Sequence, residues 1–160
     1  MTDAMTIDAI TDYVRSTFAD IDVLIASKEN NAPPTAWGDR FFYYQPANAK
    51  VDPHRFPFAT IVTHDYAGFD ESSNLNRPGV FRLNVGVGKE TFAQLFGPAA
   101  STPHGVAVTY DFAALDQLLP HPAYGRMHWV CVLCPSETTF ERIKPLLAEA
   151  YAIVVKRTTK

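Results

Sequence analysis

The stretch that decides the fold is FPFATIVTHDYAGFDESSNLNRPGVFRLNVGVGKETFAQLFG, residues 56–97. It predicts a strand over residues 58–63, a long polar loop over 65–79 and a second strand over 80–87. A short helix is predicted over residues 89–96, directly after the second strand. Because long ordered loops are often functional, the loop and its two strands are the first place to look for a site.

Side chains in the second strand alternate between two faces. Arg82 and Asn84 lie on one face, whereas the other face is entirely apolar: Phe81, Leu83, Val85 and Val87. We therefore expect the apolar face to be buried and the polar face to line an open hollow. The first strand is apolar on both faces, which predicts that it is covered, or nearly so, on both sides.

The loop and its borders carry the densest polar set in the chain: His64, Asp65, Asp70, Ser72, Ser73, Asn74, Asn76 and Arg77. His64 and Asp70 are candidates for acid–base or metal chemistry, because histidine titrates near neutral pH and a carboxylate can orient its ring. In the structural alternative, these aspartates and serines bond the local backbone, and Arg77 or Arg82 pairs with an aspartate. No spacing defines a reaction, so the sequence predicts no catalytic residue, no metal site and no cofactor.

Helices are predicted at both ends of the chain. Thr6 can cap a first helix that ends near residue 20, and Ser136 can cap a last helix with a buried apolar stripe. Asp111 can cap a further helical segment over residues 112–119, which the following proline stops. His121, which lies between two prolines, is expected to cap or pad a turn.

Further strands are predicted over residues 23–26, 40–44, 106–110 and 129–133. The last of these, WVCVL, is apolar on both faces and is expected to be a central strand. The order of elements predicts an α+β fold, with a mostly antiparallel sheet and flanking helices at the N- and C-terminal ends.

Composition limits the class of protein. The 160 residues, 47% of them hydrophobic and 19% charged, predict a single globular domain over residues 1–160. No apolar run approaches the ~20 residues of a membrane span, and the N-terminus lacks the pattern of a secretory signal, so we expect a cytoplasmic protein without a membrane partner. The net charge of −3 argues against a protein that holds nucleic acid mainly through phosphates.

Two short motifs look functional but fail in their details. Cys131 and Cys134 form CVLC, and residues three apart in a strand point to opposite faces, so we expect two buried, reduced thiols rather than a redox pair or half a zinc site. GVGKE, residues 86–90, lies where a phosphate-binding loop would lie. Such a loop requires a glycine at the position of Leu83 and a hydroxyl residue at that of Glu90, so its glycines are expected to serve the turn.

Several segments resemble known families. Two segments resemble the MmcQ/YjbR-like family: residues 121–157, HPAYGRMHWVCVLCPSETTFERIKPLLAEAYAIVVKR, and residues 81–97, FRLNVGVGKETFAQLFG. In the first segment, the matching positions are His128, Trp129, Val130 and the pair Ala150–Tyr151. A bacterial family of unknown function is similar to three further segments: WGDRFFYYQP, FPFATIVTHDYAGFD and LNRPGVFRLNVGVG. We interpret that family as a divergent branch of the MmcQ/YjbR-like family.

The resemblance implies an α+β sheet with flanking helices in a double-wing-like shape, and it implies no catalytic residue. This chain has Asn84 where the family commonly has a lysine. It also has longer loops over residues 48–54 and 66–78. Both departures weaken the implied nucleic-acid binding.

Three functions follow as hypotheses. The favoured one is a non-enzymatic binding module for a small anionic ligand or a protein partner, with a polar face built from Tyr44, His64, Asp70, Arg77, Arg82 and Asn84. The second is a double-wing nucleic-acid-binding protein that uses Arg126, Lys144, Lys156 and Arg157. The third is a hydrolase or isomerase in which His64 and Asp70 act as acid and base.

Overall fold

The structure is a computed structural model that describes residues 4–97 and 110–158. The helices are α1 (Ile7–Thr17), α2 (Lys89–Phe96) and α3 (Glu137–Thr158). The strands are β1 (Ile21–Ile25), β2 (Arg40–Tyr44), β3 (Ala59–Val62), β4 (Arg82–Gly86), β5 (Leu118–Pro120) and β6 (Trp129–Leu133). They form one six-stranded sheet in the order β1-β2-β3-β4-β6-β5, and every neighbouring pair is antiparallel.

This architecture confirms the predicted α+β fold with an antiparallel sheet and terminal helices. The predicted caps are also present: Thr6 Oγ1 accepts a hydrogen bond from Ala9 N at 3.0 Å, and Ser136 Oγ accepts one from Thr139 N at 3.1 Å. Strand β6 is an interior strand, as its apolar sequence predicts. In the described part of the chain, no helix has the length and apolar character needed to cross a membrane.

The predicted helical segment over residues 112–119 is wrong. Asp111 caps only a turn, in which its Oδ1 accepts from Ala113 N at 3.1 Å. Leu118 and Leu119 then form strand β5 beside β6, because pairing with an interior strand outweighs the local helical pattern. Of the strand predicted over 106–110, residues 106–109 lie outside the described residues.

The main core lies between the sheet and helices α1 and α3. Helix α1 buries Ile10 and Val14, and α3 buries a stripe at helical spacing that includes Phe140, Ile143 and Leu147. The strands meet them with the side chains of Phe42, Ala59, Ile61, Leu83, Val85, Val130 and Val132. The apolar face predicted for the second strand of the opening stretch is thus the buried, helix-facing side of β4.

The opposite face of the sheet is also covered around Arg82. In the register of the sheet, Arg82 lies between Val62 of β3 and Leu133 of β6. A second apolar cluster forms on this face from Val62, Leu75, Leu119, Cys131 and Leu133. Since Leu75 belongs to the loop after β3, the loop folds back over the sheet. Arg82 and Asn84 do line a hollow on this face, as expected, but the hollow does not leave them exposed: they are 0% and 2% exposed, so the expected open setting is wrong.

Candidate functional site

A cavity of about 370 Å³ lies on the face of the sheet opposite to the helices. This volume is at the small end of the roughly 300–1,000 Å³ range of small-molecule sites. Nine apolar or aromatic residues line it: Phe41, Phe56, Pro57, Val62, Tyr66, Phe69, Tyr124, Met127 and Trp129. Its polar lining consists of Thr60, Asp70, Arg82, Asn84 and His121.

The mouth of the cavity is unusually apolar for a surface that faces water. Phe56 is 74% exposed, Phe69 57% and Met127 62%. Phe69 also packs edge-on against Tyr124, with ring centroids 5.7 Å apart. Large exposed apolar side chains grouped around a hollow are typical of a binding surface.

Trp129 forms a wall of the cavity because the neighbouring strand leaves room for it. Its cross-strand partner in β4 is Gly86. A Cβ atom built on Gly86 would lie 2.9 Å from Trp129 Cε2, closer than van der Waals contact allows. The glycine therefore lets the indole lie flat on the backbone of β4.

Arg82 forms the floor of the cavity through an extended set of contacts. Its Nη1 and Nη2 donate to Asp70 Oδ1 and Oδ2 at 3.0 and 2.6 Å, in a bidentate ion pair. Its Nε donates to Asn84 Oδ1 at 2.8 Å, and Nη1 also donates to Ser73 Oγ at 2.9 Å. The remaining Nη2 hydrogen faces His121 Nε2 at 3.1 Å. All five N–H groups of the guanidinium are thus directed at atoms of the protein.

The floor carries no net charge. Burial acts to raise the pKa of Asp70, but the hydrogen bonds and positive charge of Arg82 outweigh it and lower the pKa below its usual value. Asp70 is therefore an ionised carboxylate whose charge cancels that of the guanidinium. A buried pair of this kind is stable only when both partners are present.

His121 is held as a neutral ring. Burial, followed by the positive charge of Arg82, lowers the pKa of His121 to about 3. Its Nδ1 accepts hydrogen bonds from Ala123 N at 3.0 Å and Tyr124 N at 2.9 Å. This confirms the turn-capping role predicted for His121 and fixes Nδ1 as the acceptor nitrogen.

A second buried carboxylate supports the cavity wall from behind. Asp39 is 0% exposed, and its oxygens accept from Thr63 N and Oγ1, both at 2.8 Å, and from the hydroxyl of Tyr66. Burial raises the pKa of Asp39, although these hydrogen bonds oppose the effect. Burial and the Asp39 hydrogen bond also raise the pKa of Tyr66, so its phenol is a fixed donor rather than a titrating group.

Polar residues of the loop mainly hold its own backbone, as the structural alternative predicted. Asp65 Oδ1 accepts from Leu75 N at 2.8 Å, and Asn76 Oδ1 accepts from Asp65 N at 3.1 Å. Arg77 donates to three backbone carbonyls, those of Ser73, Asn74 and Ala113. These bonds keep the loop folded over the sheet.

The six residues of the predicted polar face divide into two groups. Asp70, Arg82 and Asn84 meet at the cavity floor. Tyr44 points to the helix side, where its ring packs against Tyr151 with centroids 5.7 Å apart. The side chain of Arg77 is committed to the backbone of the loop and the segment at residue 113.

His64, the sixth of these residues, is exposed, and its Nδ1 lies 2.9 Å from Thr63 Oγ1. It does not line the cavity that Asp70 lines. Asp70 in turn has both oxygens bound to Arg82. The described contacts therefore do not assemble an acid–base pair from His64 and Asp70.

The four basic residues of the nucleic-acid hypothesis do not share a surface. Arg126 is exposed in a 3₁₀ turn beside Met127, on the cavity side. Lys144, Lys156 and Arg157 lie on α3, which packs on the other face of the sheet. Lys144 is also paired with Glu141.

The N-terminus of α2, where GVGKE resembles a phosphate loop, is occupied by a carboxylate of the chain itself. Glu149 Oε2 accepts from Gly88 N at 2.6 Å, and its Oε1 accepts from Thr91 Oγ1 at 2.6 Å. Glu149 supplies the negative charge that a helix N-terminus favours. Gly88, at the N-cap of α2, serves the turn as predicted, whereas Gly86 belongs to β4 and makes room for Trp129.

The two cysteines are free, as predicted. Cys131 is buried, and burial raises the pKa of its thiol to about 12. Cys134 is only partly buried, in contrast to the expected full burial. No group of three or more metal-ligating side chains occurs among residues 4–97 and 110–158.

Sequence reasoning missed several residues of the site: His121 and Ser73, which contact Arg82, and Trp129, which lines the cavity. The first two join the floor only because the loop and the turn before β6 come together over β4. For Trp129 the sequence carried only a partial signal: Gly86 lies within the predicted strand 80–87, and a glycine inside a strand often marks a place where another group approaches closely.

Fold and cavity together define an α+β protein with a six-stranded antiparallel sheet and a pocket of small-molecule size. Residues 5–160 match the family described as "Family of unknown function (DUF6194)", and the chain belongs to that family. Comparison with curated proteins and comparison with solved structures each give no match. The expected membership of a family of unknown function is confirmed. The comparisons do not link the chain to the MmcQ/YjbR-like family, and that resemblance stays a prediction.

Proposed function

We propose that this protein is a non-enzymatic binding module that holds a small, largely apolar molecule in the cavity. One observation carries the proposal: aromatic and aliphatic side chains form the walls, and Phe56, Phe69 and Met127 at the mouth remain more than half exposed. A concave apolar pocket with a few polar groups at its base is the usual form of a small-molecule site. Covering the mouth with a ligand would remove this apolar surface from water, which is favourable.

The polar floor favours binding over acid–base catalysis. Asp70 is held ionised by Arg82, and the pKa of His121 is lowered to about 3, so neither group exchanges protons near neutral pH. A general acid or base works best when its pKa lies near the working pH. The hydrolase or isomerase hypothesis therefore has no support in the cavity.

The electrostatics of the floor also favour a neutral ligand over the anionic one expected from the sequence. The charge of Arg82 is already matched by Asp70, and four of its five N–H groups donate to oxygen atoms of the chain. An anion would face a floor without net charge and would lose its hydration on entering. A protein partner that inserts an apolar side chain stays a further prediction, as does nucleic-acid binding.

A thermal-shift screen with neutral aromatic compounds such as indole, acetophenone and naphthalene tests the proposal. We expect some of them to raise the Tm of the protein by mass action. Phe69→Ala removes part of the mouth and should weaken each hit severalfold. Ile25→Ala removes a similarly exposed side chain from edge strand β1 and should leave the hits unchanged. The proposal fails if no compound raises the Tm, or if the two variants respond alike.

A further inference from the structure

The contact between His121 and Arg82 joins two hydrogen-bond donors. Two backbone N–H groups donate to His121 Nδ1, at 3.0 and 2.9 Å, so the lone pair of the ring lies on that nitrogen. A neutral imidazole has one N–H group and one acceptor nitrogen, and the proton therefore lies on Nε2. Arg82 Nη2, 3.1 Å away, can only donate.

The other tautomer does not remove this mismatch. If Nδ1 carried the proton, it would face the two backbone N–H groups of Ala123 and Tyr124 as a third donor. Three N–H groups of the chain are directed at a ring that can accept at only one nitrogen. The floor therefore needs one more acceptor, and placing it beside Nε2 leaves the turn intact.

Both donors are buried and belong to the lining of the cavity. His121 is 4% exposed and Arg82 0% exposed. Leaving a buried donor without an acceptor costs roughly 1–3 kcal/mol, and more for a charged group. Because the two side chains have almost no exposed surface, the floor must shift slightly to admit an oxygen atom from the cavity; beside both nitrogens, that atom would accept from Nε2–H and Nη2–H together.

We infer that the ligand of the cavity is a neutral aromatic or apolar molecule with a carbonyl-type oxygen, which accepts hydrogen bonds from His121 Nε2 and Arg82 Nη2. This inference rests on the proposed function and specifies its ligand class. A carbonyl oxygen suits the position because it accepts two hydrogen bonds without bringing a proton or a net charge. An alcohol or amine would bring a donor of its own to a place that already has two.

A pair of probes that differ in one atom tests the inference. Acetophenone carries a carbonyl oxygen where α-methylstyrene, of nearly the same shape, carries a methylene group. Dissociation constants from amide shifts in NMR titrations should favour acetophenone at least about tenfold, since a hydrogen bond to a charged group contributes roughly 1.5–3 kcal/mol. Equal binding of the two probes would overturn the inference and leave the proposed function standing. Absence of binding by both would overturn the proposed function and the inference with it.

A matched variant separates the role of His121 from its role in folding. In His121→Asn the side-chain oxygen can accept from the same two backbone N–H groups, but the shorter side chain offers no donor at the position of Nε2. We expect the preference for acetophenone to fall by severalfold or more while α-methylstyrene binds as before. An unchanged preference in a folded variant would contradict the inference. So would an imidazole ¹⁵N spectrum of the wild type that places the ring proton on Nδ1 with acetophenone bound.

Discussion

The neutral, buried His121 should make the protein lose stability as the pH falls from 7 to 5. Below the ordinary histidine pKa of 6.5 the unfolded chain takes up a proton, whereas the folded chain, with a His121 pKa of about 3, does not. The contribution of His121 to stability therefore rises with pH between about 3 and 6.5 and is constant above this range. The lowered pKa of Asp70 affects stability only around and below the ordinary aspartate pKa of 3.8, so it leaves the window from pH 7 to 5 untouched.

The size of the effect follows from the two pKa values of His121. With 6.5 in the unfolded chain and about 3 in the folded one, the free energy of unfolding should fall by about 2 kcal/mol between pH 7 and pH 5. Any folded-state pKa well below 5 gives nearly the same loss. For a chain of this length the change corresponds to a decrease in Tm of about 4–8 °C.

Urea unfolding of the wild type and of His121→Asn, followed by circular dichroism at pH 5, 6 and 7, measures the effect. The variant keeps the turn but has nothing to titrate in this window, so its stability should depend less on pH. The other histidines contribute equally to both proteins, and the difference between the two curves isolates His121. Parallel curves would refute the assignment of a neutral, buried imidazole at the floor.

Three further changes test the rest of the account. Arg82→Met should cost about 3–5 kcal/mol in urea unfolding at pH 7, because it leaves Asp70 buried and unpaired; a loss under about 1 kcal/mol would contradict the ion pair. Gly86→Ala should cost about 1–3 kcal/mol and displace the indole of Trp129, which would change tryptophan emission and weaken every ligand of the cavity; unchanged emission and affinity would contradict the packing. Glu149→Ala should cost about 0.5–2 kcal/mol by uncapping α2, with a smaller loss for Glu149→Gln; equal stability of all three proteins would contradict the capping role.

The strands and helices were predictable because they depend on local patterns. RFFYY and WVCVL form β2 and β6 with the predicted bounds, since aromatic and β-branched runs favour extended backbone. The prediction of a helix over residues 112–119 failed because the structure there depends on a distant contact rather than on the local pattern. The local sequence fits a helix, but Leu118 and Leu119 are close enough to β6 to pair with it, and a single sequence carries no signal for that proximity.

The candidate site was predictable only in part. Alternation in β4 placed Arg82 and Asn84 on one face, but burial of that face depends on how the loop 65–79 folds back, which propensity does not encode. An ion pair between Arg77 or Arg82 and one of the aspartates was predicted, whereas the contact with His121 from a distant turn was not. Residues 39 positions apart in the chain meet here, and only the assembled sheet brings them together.

The most direct test of the account is a map of the backbone amide shifts that acetophenone causes in the ¹⁵N–¹H spectrum of the wild-type protein. We predict that the shifts concentrate in β2, β3 and β4 and in the turn around His121, with Trp129 among the largest. Helix α1 and the C-terminal turns of α3 should remain unchanged. Shifts centred on Lys156 and Arg157, or no shifts at all up to the solubility limit of the compound, would contradict the assignment of the cavity as the binding site.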